Sequence, residues 1–223
     1  MNKNIYIVRH GQSKGNARDV NETEGYVIDS NVELTDLGHL QTASAGGVLN
    51  NYLKSKNGAF FISPFERTRD TAENIKGNLK SKFSQNYDYI EDPRLVEQDF
   101  GDFDFQYFEK WPEISPHSYF INQARYNDEH GRFFARLENG ENMLDVYNRV
   151  SLFVKTRLET SKYKENIIVT HGCTSRALIM FMLGLKVEDY YTMDVPGNAS
   201  IRHIVYKNGK YIDKGYIYEY EDV

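Results

Sequence analysis

The sequence has little cysteine, no long apolar stretch and no excess of positive charge. Its single cysteine, Cys173, can form neither an internal disulfide nor a thiolate metal cluster. No apolar run approaches the ~18 residues of a membrane span. The first residues lack the apolar region of a secretory signal. We therefore expect a soluble protein of a reducing compartment, the cytoplasm, with no membrane partner.

Negative charge slightly outweighs positive charge. The 223 residues include 27 Lys and Arg against 32 Asp and Glu, a formal net charge of −5. Proteins that bind nucleic acids usually carry a basic face or tail, so we expect no nucleic-acid partner. A few well-placed arginines can still bind a small anion such as phosphate without changing this balance.

Short apolar runs alternate with helical patterns along the chain. Apolar, β-branched runs at 4–8, 59–62 and 166–170 predict buried strands. Helices are predicted from Asp36 to about Lys54 with Thr35 as N-cap, from Glu66 to about Leu79, and over 142–159 and 175–183. Residues 200–206 and 211–220 predict a terminal hairpin or a pair of edge strands. This order predicts an α/β fold of three layers, with a mostly parallel central sheet flanked by helices.

Residues 100–138 interrupt the alternation. They are crowded with aromatic side chains and include Pro112 and Pro116. We interpret this stretch as a helical cap insertion, about residues 100–140, that covers the ligand end of the sheet. The sequence has no internal repeat, low-complexity segment or Gly/Ser linker. Residues 1–223 are therefore predicted to form a single domain with this cap.

Polar side chains follow three predicted strands or begin the next helix. Arg9 and His10 follow the first strand, Arg67 begins the helix after the second, and His171 follows the third. The carboxyl ends of parallel strands meet at one edge of a sheet, so these side chains are expected to surround one small anion. The planar guanidinium groups suit phosphate oxygens, although ion pairs with a purely structural role are the alternative.

Two residues of the loop after the first strand fit the same anion. Asn16, six positions after His10, can donate its amide to a phosphate oxygen, with a loop or cap contact as the alternative. Gly11 lets the loop turn without a Cβ clash. Structural roles are expected for the four remaining histidines, which are His39, His117, His130 and His203.

The segment IVRHGQSKGN resembles the signature of the histidine phosphatase superfamily, the phosphoglycerate-mutase-like proteins. Four further elements match in order: LTDLGHLQT at 34–42, SPFERTRDTA at 63–72, RLVEQDFG at 94–101 and VTHG at 169–172. VPGNAS at 195–200 is a further, weaker match. The resemblance therefore spans nearly the whole chain.

The resemblance implies a role for each matching residue. His10 is implied as the nucleophile that becomes phosphorylated, and Glu97 as the group that protonates the leaving oxygen and then activates water. Arg9, Asn16, Arg67 and His171 are implied as the phosphate pocket, with Gly11, Ser13 and Gly172 as further pocket candidates. Attack requires a neutral imidazole, so we expect a backbone carbonyl to accept the other ring N–H of His10.

The elements EQDFG, GRFFAR at 131–136 and NGE at 139–141 resemble phosphatases more than mutases. The prediction is a hydrolase that acts on a small phosphorylated metabolite through phosphohistidine. A phosphoglycerate mutase is the alternative, and Arg125, Arg132 and Arg136 could bind its substrate carboxylate unless they form surface ion pairs. A non-catalytic binding protein is least expected, because every site residue is present.

No metal or cofactor is predicted. Asp99, Asp102 and Asp104 lack the spacing of a calcium-binding loop, so a solvated loop is the better interpretation. Cys173 is expected to be a small buried side chain and not a nucleophile. The sequence leaves the assembly open, with a homodimer as one candidate.

Overall fold

A computed structural model describes residues 2–17, 29–101 and 131–220 of the chain. Six strands of these ranges form one mixed sheet in the order β3-β2-β4-β1-β5-β6. They are β1 (Lys3–Arg9), β2 (Gly58–Ile62), β3 (Tyr87–Glu91), β4 (Glu165–Thr170), β5 (Ile201–Lys207) and β6 (Lys210–Tyr218). Strands β1 to β4 are parallel, while β5 is antiparallel to both β1 and β6. The predicted α/β fold is confirmed.

Helices flank the sheet. They are α1 (Asp36–Leu49), α2 (Glu66–Gly77), α3 (Ser81–Ser84), α4 (Gly131–Phe134), α5 (Met143–Phe153), α6 (Gly172–Leu183) and α7 (Val187–Tyr190). Short 3₁₀ turns lie at Asp29–Asn31 and Pro93–Leu95, and a π-helical turn, Val154–Leu158, continues α5. As predicted, Thr35 caps α1 and accepts a hydrogen bond from the Gly38 N–H at 3.1 Å.

The core lies on both faces of the sheet, because successive residues of a strand point in opposite directions. Ile5 and Ile7 of β1 pack in a cluster with residues of α5 and α6. Tyr6 and Val8 pack in a second cluster with residues of α1 and α2. Strand β1 is therefore covered on both sides, as expected for a central parallel strand.

Two helix boundaries differ from the sequence-based expectation, and one strand was not predicted. Helix α1 ends at Leu49 and not near Lys54, whose N–H instead donates to the carboxylate of Glu165 at 3.1 Å. Helix α6 begins at Gly172, three residues before the predicted start at residue 175. Strand β3 was not predicted, because its sequence YDYIE is mostly exposed and lacks an apolar run.

The predicted cap can be followed only in part. Residues 100–101 and 131–140 are described, and α4 lies in the second stretch, whereas 102–130 lie outside the described residues. The single-domain organisation with a cap over about 100–140 stays a prediction. Within the described ranges, no helix has the length and apolar character needed to cross a membrane.

Candidate active site

The carboxyl ends of β1, β2 and β4 meet beside a cavity of about 210 Å³. The backbone joins the strand ends directly, since the His10 N–H donates to the Thr170 carbonyl at 2.9 Å and the Ser63 N–H donates to the Val169 carbonyl at 3.1 Å. Six predicted site residues line the cavity: Arg9, His10, Ser13, Asn16, Arg67 and Glu97. Residues far apart in sequence are thus brought to one site by the parallel sheet.

His10 lies just beyond β1 and is only 4% exposed. Its Nδ1 is 2.7 Å from the Gly11 carbonyl oxygen. Because a carbonyl only accepts, this contact assigns the proton to Nδ1 and leaves a lone pair on Nε2. Burial, assisted by the charges of Arg67 and Arg9, holds the pKa of His10 well below its usual value. The ring is therefore neutral, as a nitrogen nucleophile requires.

Gly11 is required by close packing against α1. A Cβ at this position would lie 2.5 Å from the Gly38 carbonyl oxygen and 2.7 Å from the Thr42 methyl carbon. The Gly11 N–H donates to the hydroxyl of Thr71 on α2 at 3.1 Å. Gly11 therefore lets the nucleophile loop approach two helices, in addition to the freedom to turn that the sequence suggested.

The two arginines approach the cavity from different elements. Nη1 of Arg9 donates to the Pro196 carbonyl at 2.6 Å, while its buried Nε has no partner among the described residues. Arg67 lies in the first turn of α2, with its guanidinium carbon 4.9 Å from the Phe65 ring centroid. Its Nη1 forms an ion pair with Asp29 Oδ1 at 2.8 Å. The site thus contains two cationic groups with donors suited to phosphate oxygens.

His171 is fully buried at the junction of β4 and α6. Its ring packs edge to face against that of His10, with centroids 5.1 Å apart, although His171 is not among the residues that line the cavity. Its Nε2 lies 2.8 Å from the Ser63 hydroxyl, and Nδ1 has no partner among the described residues. Burial, followed by the charge of Arg67, holds the pKa of His171 well below its usual value.

Glu97 is held at the N-terminus of α6. Its carboxylate accepts hydrogen bonds from the backbone N–H groups of Cys173 and Thr174, both at 3.1 Å, and from the Gln98 N–H at 3.0 Å. Backbone N–H groups at a helix N-terminus have no partner within the helix, so they are available to hold this side chain in position. Gly172 lies beside this contact, because a Cβ on it would be 3.6 Å from Glu97 Oε2 and 3.7 Å from Arg9 Nε. The loop acid is therefore fixed next to an arginine of the pocket.

Asn16 is oriented by its own loop and by the segment before β5. Its Oδ1 accepts from the Ser13 hydroxyl at 3.1 Å and from Nδ2 of Asn198 at 3.1 Å. Since the amide oxygen is occupied, Nδ2 of Asn16 is the group left to donate to a ligand. Asn198, which lies in the VPGNAS element, also donates to the His10 carbonyl at 3.1 Å.

Arg149 was not predicted as a site residue, although it organises the Glu97 loop. Its guanidinium donates to both carboxylate oxygens of Glu141, at 2.9 and 3.0 Å. It also donates to the backbone carbonyls of Arg94, Val96 and Glu97 at 2.8 to 2.9 Å. A signal was present in the sequence, because Arg149 is three residues after Val146 and four before Phe153, two buried residues of α5. Sequence reasoning likewise missed Ser63 and Asp29.

The other candidates have structural partners or lie elsewhere. Arg136 forms an ion pair with Asp145 at 2.6 Å and is 54% exposed, as the surface-pair interpretation expected. Cys173 is partly buried, and this burial, together with Glu97, raises the pKa of its thiol. No group of three or more His, Cys, Asp or Glu among the described residues could hold a metal ion.

Two of the remaining histidines have structural contacts, whereas most of the predicted cap residues are not described. Nδ1 of His39 contacts Asn74 at 2.8 Å, and His203 stacks on Tyr6 with ring centroids 4.7 Å apart. The other residues lie outside the described ranges: His117, His130, Arg125, Asp102 and Asp104. Arg132 is in α4, but its side chain is not described.

Comparison with known proteins places these features in a family. The family model of the histidine phosphatase superfamily (branch 1) matches residues 5–215. A phosphoglycerate mutase-like protein of Arabidopsis thaliana, AT74, is 31% identical over 218 residues, which cover 90% of this chain and 64% of that protein. A Hydrogenobacter thermophilus protein whose name proposes a phosphoserine phosphatase is 29% identical, and the match covers 91% of this chain and 89% of that protein. The α-ribazole phosphatase of Shigella flexneri shares the fold, with a TM-score of 0.75, 18% identity and 95% of each chain covered.

Proposed function

This chain belongs to the histidine phosphatase superfamily (branch 1), and from that premise we propose that it hydrolyses phosphomonoesters of small metabolites through a phosphohistidine at His10. The observation that carries the proposal is the 2.7 Å contact between Nδ1 of His10 and the Gly11 carbonyl. It orients a neutral ring whose Nε2 is available for attack. Arg9 and Arg67, in the same cavity, supply the positive charge that a phosphoryl group needs.

In the first half-reaction, Nε2 of His10 forms a bond to phosphorus while the bond to the ester oxygen breaks. The guanidinium groups of Arg9 and Arg67 stabilise the charge on the transferring phosphoryl oxygens. His171 donates to one of these oxygens from Nδ1. Glu97, in its protonated form, gives its proton to the departing alkoxide oxygen, and the product alcohol leaves.

In the second half-reaction, water attacks the phosphorus of phosphohistidine. Glu97, now a carboxylate, accepts a proton from this water as the new P–O bond forms. The P–N bond breaks, which returns the electron pair to Nε2 of His10 and releases inorganic phosphate. One carboxyl group thereby serves as acid and then as base, and no step requires a metal ion.

The test of the proposal is the phosphoenzyme itself. A phosphomonoester should label the protein with a phosphate adduct that is labile in acid and stable in base, and His10→Ala should abolish both this adduct and turnover. His39→Ala, which removes an exposed histidine in contact with Asn74, is the matched control and should keep both. Substantial turnover by His10→Ala would refute the mechanism.

Metal independence has its own test. Treatment of the purified protein with a chelator should leave phosphatase activity unchanged, because the two arginines supply the charge that a divalent ion would otherwise bring. Loss of activity with EDTA, together with recovery on addition of a divalent ion, would contradict this part of the proposal.

A phosphoglycerate mutase is the second candidate, and the name of the Arabidopsis thaliana relative favours it. A mutase must bind a substrate carboxylate in addition to the phosphoryl group. Of its candidate cations, Arg136 pairs with Asp145 at the surface, which favours hydrolysis. Release of phosphate from 3-phosphoglycerate, measured against isomerisation with and without bisphosphoglycerate, distinguishes the two reactions.

The substrate is proposed only as a class. A panel of sugar phosphates, nucleotides, phosphoglycerates, phosphoserine and phosphorylated peptides would rank the candidates by kcat/KM. We place the protein in the cytoplasm, on the basis of its single cysteine, with no nucleic-acid or membrane partner. A homodimer stays a candidate assembly, which sedimentation equilibrium would test.

A further inference from the structure

Asp29 places a carboxylate inside the proposed phosphate pocket. It lines the cavity together with His10 and Arg67. Nη1 of Arg67 donates to the Asp29 backbone carbonyl at 2.6 Å and forms an ion pair with Asp29 Oδ1 at 2.8 Å. The side chains are 6% and 21% exposed, so water screens this ion pair only in part. The reaction described above makes no use of this carboxylate.

The pair occupies one end of the Arg67 guanidinium. Both contacts with Asp29 use Nη1. A guanidinium has five N–H donors, and the edge formed by Nε and Nη2 can bind two oxygens of one phosphate. Arg67 can therefore hold a phosphoryl group and Asp29 at the same time. Asp29 does not need to move away when phosphate binds.

The carboxylate changes the charge that a bound phosphate meets. Among the described residues that line the cavity, Arg9 and Arg67 are cationic, and Asp29 and Glu97 are acidic. A phosphate on Arg67 shares that guanidinium with Asp29, so two negatively charged groups lie on one small cation. Their repulsion is substantial at a site with little solvent, because the effective dielectric constant is well below that of water.

We propose that Asp29 limits the affinity of the pocket for inorganic phosphate and thereby promotes its release. The inference rests on the proposed function, since hydrolysis makes phosphate the last product to leave. A pocket built only from cations would retain this dianion, and slow product release limits many enzymes. The backbone carbonyl of Asp29 orients Arg67, while the carboxylate lowers the net positive charge.

The two effects of Asp29 can be separated by substitution. Asp29→Asn keeps an Oδ1 acceptor and the backbone carbonyl, so it preserves the orientation of Arg67 and removes only the charge. Titration calorimetry with inorganic phosphate should show binding that is tighter by roughly tenfold, because the substitution removes the repulsion between the carboxylate and the phosphate. Glu91→Gln is the matched control, because Glu91 pairs with Arg69 on α2 at 2.7 Å but is exposed and does not line the cavity. It should bind phosphate as the wild type does.

Unchanged or weaker phosphate binding by Asp29→Asn would overturn the inference, because either result would show that the carboxylate charge does not oppose phosphate. If the Asn variant does not fold, Asp29→Ser takes its place because it also removes the charge. Tighter phosphate binding by that variant supports the inference, and unchanged or weaker binding overturns it. Titration measures binding without turnover. A protein that binds phosphate but hydrolyses no ester of the panel would contradict the proposed function and leave the test of Asp29 intact.

Discussion

The hydroxyl oxygen of Ser63 lies 2.8 Å from Nε2 of His171, so the two side chains share one hydrogen bond. The same hydroxyl oxygen is 3.4 Å from the Phe65 N–H, which can only donate to it. This contact fits a hydroxyl that donates to Nε2, and in that arrangement the neutral ring carries its own proton on Nδ1. That nitrogen has no partner among the described residues, and the proposed mechanism uses it as a donor to a phosphoryl oxygen.

We expect Ser63→Ala to lower kcat by about tenfold with little change in KM, because a donor that acts mainly on the transition state is then no longer fixed. Ser175→Ala is the matched control: this buried hydroxyl on α6 has no hydrogen-bond partner among the described residues. Steady-state kinetics on one phosphomonoester measure both variants. Equal effects of the two substitutions would mean that Ser63 contributes only to packing.

Stability should fall as the pH decreases below about 6.5, the usual pKa of an exposed histidine. Burial lowers the pKa values of His10 and His171 in the folded state, so the unfolded chain binds more protons in acid. Their contribution is complete above the unfolded-state pKa and is lost as the pH falls through it towards the folded-state values. Each histidine that stays neutral in the folded state can lower the free energy of unfolding by up to about 1.4 kcal/mol for each pH unit below the unfolded-state pKa.

Urea unfolding followed between about pH 7.5 and about pH 5.5 measures this dependence. His10→Asn should reduce the slope of the unfolding free energy against pH, whereas His39→Asn, at an exposed position, should not. A wild-type slope that His10→Asn leaves unaltered would show that folding does not lower the pKa of His10.

Arg149 should act on catalysis through the position of Glu97. Arg149→Lys keeps a positive charge but cannot bind both oxygens of Glu141 and the three loop carbonyls together. We expect activity on alkyl phosphates to fall by about tenfold and activity on an aryl phosphate to fall less, since an aryl leaving group needs little help from an acid.

The control for Arg149 is Arg202→Lys, which disrupts another two-point ion pair, with Asp213 on β6, away from the loop. This variant should affect both esters equally. If Arg149→Lys also lowered both rates by the same factor, its effect would come from loss of folded protein and not from misplacement of Glu97.

The parts of this molecule that follow from local patterns were predictable from the sequence. Strand β1, the Thr35 cap and the convergence of Arg9 and His10 with Arg67 depend on apolar runs, capping and the parallel order of strands. Strand β3 escaped prediction because an edge strand with one covered face needs few apolar residues.

Side-chain partners across the fold were not predictable. The contact between Ser63 and His171 joins residues 108 positions apart, and the bond between Arg149 and the Glu97 carbonyl spans 52 positions. No local pattern encodes such a pair, because it depends on how two distant segments pack. Asp29 was missed for the same reason, since its role depends entirely on Arg67 of α2.

The role of Glu97 makes the sharpest prediction, because its carboxylate is bound to the first turn of α6 and also lies near Arg9. A general acid matters most when the leaving group is an alkoxide, which must be protonated as the P–O bond breaks. Glu97→Gln should therefore slow phosphorylation by alkyl phosphates by ~10²–10⁴-fold and slow phosphorylation by p-nitrophenyl phosphate far less.

Dephosphorylation should suffer with both esters, since the same carboxylate activates water, so burst experiments must separate the two half-reactions. Gln also places an NH₂ group among N–H donors of α6, and some loss of stability is expected from that contact. The ratio of the two phosphorylation rates within one preparation cancels this loss, because unfolded protein lowers both bursts alike. Equal losses in the first step would mean that Glu97 only shapes the pocket and that the proton comes from another group, with Asp99 the next candidate.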